Sequence, residues 1–146
     1  MAGAANRDGL FEREILALIE QLGVGGQVRM LGAVGRDELA GLMSACDLFC
    51  LASSSEGWPN VVHEALACGA PVVATRVGAI PQMLPSERYG LIVNVDDEAS
   101  LLAGLTAALG RQWDADAIRE WGQARSWPLV ADEVATFLRQ SLKNRP

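Results

Sequence analysis

Apolar runs of strand length alternate with helical patterns along this chain, and the alternation predicts a parallel α/β sheet flanked by helices. Three observations carry the prediction. Asp47–Leu51 and Pro71–Thr75 are nearly continuous apolar runs, the pattern of strands covered on both faces. Helical periodicities of about ten residues separate such runs. Gly- and Pro-containing loops mark the junctions.

The elements follow in order. Residues 1–7 form a loose tail. Asp8 suits a helix cap, Phe11, Ile15, Leu18 and Leu22 recur at helical spacing, and Gly23 suits the stop. Gly25-Gly26 is a turn, and Val28–Leu31 a short strand closed by Gly32. A second helix covers about Asp37–Ala45, with Leu39, Leu42, Met43 and Cys46 on one face. After the 47–51 strand comes a polar loop, Ser53–Pro59, then a helix over Pro59–Cys68 that Gly69 ends. Beyond the 71–75 strand, Pro81–Leu84 is a helical turn and Gly90–Val95 a last strand. Helices are expected at about Glu98–Leu109, Asp114–Ala124 and Pro128–Leu142.

Composition excludes several classes. Among 146 residues, half are hydrophobic and 21% charged, which is globular usage. A net charge of −6 argues against nucleic-acid binding through a general basic surface. An anionic ligand would need local N–H groups or a few placed side chains. Cys46, Cys50 and Cys68 form no disulfide framework and are expected as buried, reduced thiols of a cytosolic protein. With one histidine and no paired cysteine motif, no metal site is expected. No apolar run has the length of a membrane span.

Parallel sheets bind ligands beyond the carboxyl ends of their strands, and the loop Ser53–Pro59 lies there. A helix N-terminus follows, offering unpaired N–H groups and the positive end of its dipole, a setting for a diphosphate without lysine. Gly57 lets the backbone approach a ligand closely. Glu56 in the loop and Glu64 one turn into the helix are suited to accept from sugar or ribose hydroxyls. On spacing alone a loop Glu is usually solvated and a Glu at a helix start usually just favours the dipole.

Glu56 and Glu64 are separated by seven residues. The run Glu-Gly-Trp-Pro-Asn-Val-Val-His-Glu-Ala-Leu-Ala-Cys-Gly-Ala-Pro-Val-Val-Ala-Thr closely resembles the E-x7-E region of family 4, group 1 glycosyl transferases with the two-Rossmann-domain (GT-B) architecture. Val28–Gly32 resembles that family's V-x-F-L-G strand and Asp47–Ser53 its D-hydrophobic-S strand. Gly78–Gln82 resembles its G-G-x-P-E turn, with Ala79 and Gln82 departing from it, and Gly90–Val93 its final strand. The resemblance covers roughly Gly9–Leu109.

The resemblance implies a Rossmann-like C-terminal, donor-binding domain of GT-B type, lacking its first two strands. Residues 1–146 then read as one partial donor-binding domain: 1–7 tail, 8–110 family-like α/β core, 111–146 C-terminal helices. Glu56 is implied as the catalytic residue, contacting the donor sugar beside the diphosphate without acting as a nucleophile. Ser55, Gly57, Trp58, Asn60 and Val61 would hold sugar and diphosphate. Glu64 would accept from the ribose, and Gly32 and Ala33 would lie near the base. No metal or other cofactor is implied.

The implied function is the donor half of a retaining glycosyltransferase. It would move a hexosyl unit from a nucleotide diphosphate sugar to a glycan or lipid acceptor, as in polysaccharide biosynthesis. The alternative is a non-catalytic nucleotide-sugar-binding subunit docking on a separate acceptor-domain chain. Either way the chain alone is expected to be incomplete and inactive. It is expected to be cytoplasmic, and peripheral at the inner membrane face in the complete enzyme.

Family domains of this kind carry two further strands and a basic pair upstream of the strand matched by Val28. Arg7, Arg13 and Arg29 do not stand in that context. As a partner the resemblance implies the family's N-terminal acceptor domain, in cis or trans, beside the nucleotide sugar. The sheet is expected to be completed by another polypeptide, to oligomerise through its open edge, or to close the 28–31 strand beside the 47–51 strand.

Other residues read more plainly. His63 is a surface or packing residue, and Arg76 a solvated arginine or a phosphate contact. Trp58 is suited to line the donor pocket. Trp113, Trp121 and Trp127 suit helix packing, with Trp121 and Phe137 alternatively marking a docking face.

Overall fold

The computed structural model describes residues 10–143. The chain divides into two compact units, Met1–Leu39 and Ala40–Pro146.

In the first unit, helix α1 spans Leu10–Gln21 and ends where Gly23 takes φ +66°. Ile15 and Ile19 are half-buried, whereas Phe11, Leu18 and Leu22 are exposed. The expected apolar stripe therefore exists but is not packed as a core face. Asp8, the expected cap, lies outside the described residues. Val28–Leu31 is not a strand; only Gly32 forms a single bridge. A strand exists only through a ladder to a neighbour, and an apolar run by itself does not supply one. Helix α2, Arg36–Ala45, begins at the end of this unit and continues into the next.

In the second unit the sheet contains β1 (Phe49–Leu51), β2 (Val72–Thr75) and β3 (Gly90–Val93). All pairings are parallel and the spatial order follows chain order. Helix α3 (Asn60–Ala67) links β1 to β2, and the short α4 (Ile80–Met83) links β2 to β3. Three helices follow: α5 (Glu98–Leu109), α6 (Ala115–Gln123) and α7 (Trp127–Lys143). Asp97 caps α5 by accepting from the Ser100 N–H at 2.9 Å, and Asp114 caps α6 by accepting from Ala117 N–H at 3.0 Å.

Only β2 is buried on both faces. Val73 and Val93 pack with Ala108 of α5, and Trp113 covers them while its indole N–H donates to the Ala108 carbonyl at 2.8 Å. By strand alternation Val72 and Ala74 point to the opposite face, and α3 packs against β1 and β2. Burying a side chain the size of Leu66 or Ile118 stabilises by about 1.5–3 kcal/mol. Helices α3 and α6 pack closely: a Cβ on Gly122 would lie 2.3 Å from the Ala67 nitrogen, so only glycine admits this approach.

The expectation that the 47–51 segment is covered on both sides is corrected. β1 is the sheet edge, with Phe49 and Leu51 half-buried and Cys50 exposed. The expectation of buried thiols fails for the same reason at Cys50, while Cys46 and Cys68 are half-buried; all three are free. Partial burial holds the Cys46 thiol above its usual pKa, and its S–H donates to the Met43 carbonyl at 3.3 Å.

Candidate functional site

The carboxyl ends of β1 and β2 anchor the loop that sequence reasoning singled out. Thr75, the last residue of β2 and 4% exposed, donates its hydroxyl to the Ser53 carbonyl. Ser53 in turn donates its hydroxyl to a Glu56 carboxylate oxygen at 2.8 Å. One strand end thus fixes the loop backbone, and the loop fixes the half-buried Glu56 side chain. A second tether comes from the turn after β2, where Ala79 N–H donates to the Gly57 carbonyl at 2.9 Å. Gly78, at φ +48°, makes this approach possible: a Cβ there would lie 2.3 Å from the Glu56 carbonyl oxygen. Ala79 itself has φ −84°, a conformation open to any residue, so alanine is accommodated where the resembled pattern has glycine.

Pro59 precedes α3 and offers no side-chain cap. Val62 N–H turns back to the Pro59 carbonyl at 3.0 Å, and the N–H groups of Asn60 and Val61 lead the helix. These donors and the helix dipole favour an anion at this end.

Beside α3 lies a groove of about 800 Å³. Trp58, Asn60, His63 and Glu64 line one side, and the α6–α7 corner with Arg125 and Trp127 lines the other. Trp58 and Glu64 are exposed there. Glu56 bonds Ser53 and is not among the groove-lining residues, whereas Glu64, one turn into α3, is. Ser55 and Gly57 are exposed on the loop, and Val61 is half-buried. Gly32, at φ +65°, and Ala33 belong to the first unit.

Several residues escaped sequence reasoning. Arg125 holds its guanidinium 5.3 Å from the Trp58 ring centroid. Thr75 and Gly78 anchor the loop. The buried hydroxyl ending an apolar strand was the available signal for Thr75; nothing local marked Arg125. His63 is a packing residue: its Nε2 bonds the Arg125 carbonyl at 2.9 Å. Trp121 stacks on Tyr89 with centroids 5.0 Å apart and donates to the Met83 carbonyl, whereas Trp127 is 73% exposed. Arg76 is exposed. Among the described residues no group of three His, Cys, Asp or Glu gathers as a metal site, and no helix is long and apolar enough to cross a membrane.

Comparison with known proteins agrees with this architecture. Residues 1–111 match the family model described as glycosyl transferases group 1. The D-inositol 3-phosphate glycosyltransferase of Segniliparus rotundus is 35% identical over 98% of this chain and 33% of its own length. That of Mycobacterium avium is 38% identical over 98% of this chain and 35% of its own. The chain thus spans about a third of the length of the curated relatives it matches. Among solved structures, sucrose-phosphate synthase from Thermosynechococcus elongatus superposes with a TM-score of 0.80 at 27% identity, covering 99% of this chain and 38% of that one. HepE from Anabaena, solved in complex with UDP, superposes at 0.79 with 25% identity, covering 95% of this chain and 40% of that one.

Proposed function

Because this chain belongs to the glycosyl transferases group 1 family and has the GT-B type of α/β fold, we propose that it is the donor-binding half of a retaining hexosyltransferase that uses a nucleotide diphosphate sugar. The observation that carries the reading is the uncapped N-terminus of α3 at the carboxyl end of the sheet, with Glu56 held by Ser53 in the loop before it and Glu64 one turn into the helix. The solved complex of HepE with UDP supports a nucleotide as ligand.

Each part has a physical role. The diphosphate sits against the Asn60 and Val61 N–H groups, where donors aimed at the leaving oxygens are worth more than they are in water. Glu56, pre-oriented by Ser53, accepts from the donor sugar's hydroxyls, and oriented carboxylates make the stronger class of hydrogen bond. Ser55, Gly57 and Trp58 complete the sugar and diphosphate contacts. Glu64 accepts from the ribose. No metal is assigned: the helix terminus takes the leaving charge.

The acceptor, a glycan or lipid, is held by a separate N-terminal domain, in cis or trans. Two surfaces of the second unit support such a companion. Among its described residues β1 ends the sheet, and α7 exposes Trp127, Val134 and Phe137 at helical spacing.

Calorimetric titration of the 146-residue chain with UDP, GDP and ADP tests the reading. Saturable binding of one of them, weakened in Glu64→Ala, supports it. Heats indistinguishable from dilution for all three would reject it.

A further inference from the structure

The corner between α6 and α7 is fastened to α3 and to the donor loop by three separate contacts. Gln123 Nε2 donates to the Ala67 carbonyl at the end of α3, 3.2 Å away. His63, one turn into α3, bonds the Arg125 carbonyl at 2.9 Å. The Arg125 side chain then reaches in two directions. Its guanidinium lies over the Trp58 ring, and its Nη1 and Nη2 donate to both carboxylate oxygens of Glu133 at 3.4 and 2.9 Å. Glu133 lies in α7, nearly two turns from its start.

From this arrangement we infer that Arg125 is a positioning residue that couples α7 to the donor loop, setting the conformation of Trp58 according to how α7 is held. The chemistry fits that task. A guanidinium is planar, so it can present a face to an indole and an edge to a carboxylate at once, which an ammonium cannot. Glu133 fixes the plane of the guanidinium, and the plane fixes the ring. Trp58 follows Gly57 and precedes Pro59, so its side chain moves with the loop that carries Glu56. The apolar residues that α7 exposes, among them Val134 and Phe137, lie on the same helix as Glu133. A partner that seats on α7 would thereby act on the donor loop through one arginine.

The inference rests on the donor-loop reading only for its consequence on ligand binding; the coupling itself is testable without ligand. The measurement is acrylamide quenching of Trp58 in the 146-residue chain, isolated by subtracting the Trp58→Phe spectrum. It is paired with calorimetric titration of UDP, GDP and ADP, and with thermal melting as a control for folding. Arg125→Ala is expected to raise the Trp58 quenching constant about twofold and to weaken nucleotide binding about three- to tenfold, the range for an exposed cation–π contact plus an exposed ion pair. Arg125→Lys restores neither, because it lacks the plane. Glu133→Gln, which touches no part of the loop, produces a smaller change in the same direction.

Unchanged Trp58 quenching in Arg125→Ala overturns the coupling. So does a raised quenching with Glu133→Gln indistinguishable from the wild-type chain, because the link to α7 would then be absent. If the wild-type chain binds none of the three nucleotides, the donor reading fails and the quenching results alone decide the coupling. A variant whose melting temperature falls is judged by Glu133→Gln and Arg125→Lys, whose exposed changes leave the core untouched.

Discussion

Replacing Gly78 with alanine tests how the candidate loop is built. A Cβ on Gly78 would stand 2.3 Å from the Glu56 carbonyl oxygen and 2.4 Å from that of Gly57. Both atoms are backbone, so no side chain can swing aside. Restoring an ordinary contact requires the loop and the turn to part by about 1 Å. Three costs follow. A left-handed φ of +48° strains alanine by about 1–2 kcal/mol. Parting the segments weakens the Ala79 N–H to Gly57 carbonyl bond, about 1 kcal/mol. The residual overlap adds a similar amount, for a total of about 3–4 kcal/mol. At this chain length that lowers Tm by about 5–15 °C. Differential scanning calorimetry of the 146-residue chain reads it directly. Gly57→Ala is the matched control, since a Cβ there meets nothing within 4 Å, and its stability should stay within about 0.5 kcal/mol. A Gly78→Ala melting point within about 2 °C of wild type, or an equal loss in Gly57→Ala, would refute the close-approach argument.

The remaining predictions concern chemistry, packing and pH. In an enzyme completed by its acceptor domain, Glu56→Gln should cut turnover by about a hundredfold or more, and near-wild-type transfer would reject its role. Glu64→Ala should act mainly on nucleotide affinity, read by calorimetry, with turnover at saturating donor far less affected. Gly122→Ala forces α6 off α3, where its Cβ would meet the Ala67 nitrogen at 2.3 Å, and should lower the urea midpoint by the equivalent of about 2–4 kcal/mol. Asp97 has its pKa lowered, first by the Ser100 N–H and then by the Asn94 amide. Its contribution is therefore full above the unfolded aspartate value and is lost as pH falls through the lower folded value. Urea midpoints measured from pH 5 down to pH 2.5 should fall more steeply in wild type than in Asp97→Asn, and parallel curves would contradict this.

Local signals made much of the second unit legible. The stop at Gly69 and the extents of α5 and α6 follow from turn chemistry and periodicity, and both are written in neighbouring residues. The Glu56–Glu64 segment was legible as a strand-to-helix loop for the same reason. The Val28–Leu31 segment was misread because an apolar run states what can pair, not what it pairs with. The 47–51 run was misread as covered on both faces because its composition is that of a covered strand, although β1 stands at the edge and is only half-buried. Arg125 was invisible for a third reason: it meets Trp58 across 67 positions, and an arginine at a helix junction looks like any solvated one. Gly78 stood in the resembled turn, but only the fold shows that it meets the Glu56 backbone.

The sheet of the second unit runs in space as it runs in sequence, β1 beside β2 beside β3. Parallel strands always require a crossover, yet here each crossover closes on the next strand in line, the least costly closure in chain entropy. The tether between Glu56–Gly57 and Gly78–Ala79 spans only some twenty residues. The Ser53–Pro59 loop should therefore acquire its shape early in folding, before α6 and α7 arrive from the far end of the chain. Pulse-labelled hydrogen exchange during refolding should find the Val72–Ala74 amides protected in the first phase and the α7 amides in a later one. Protection of α7 first would mean that the loop is moulded by the corner of α6 and α7, not merely held by it.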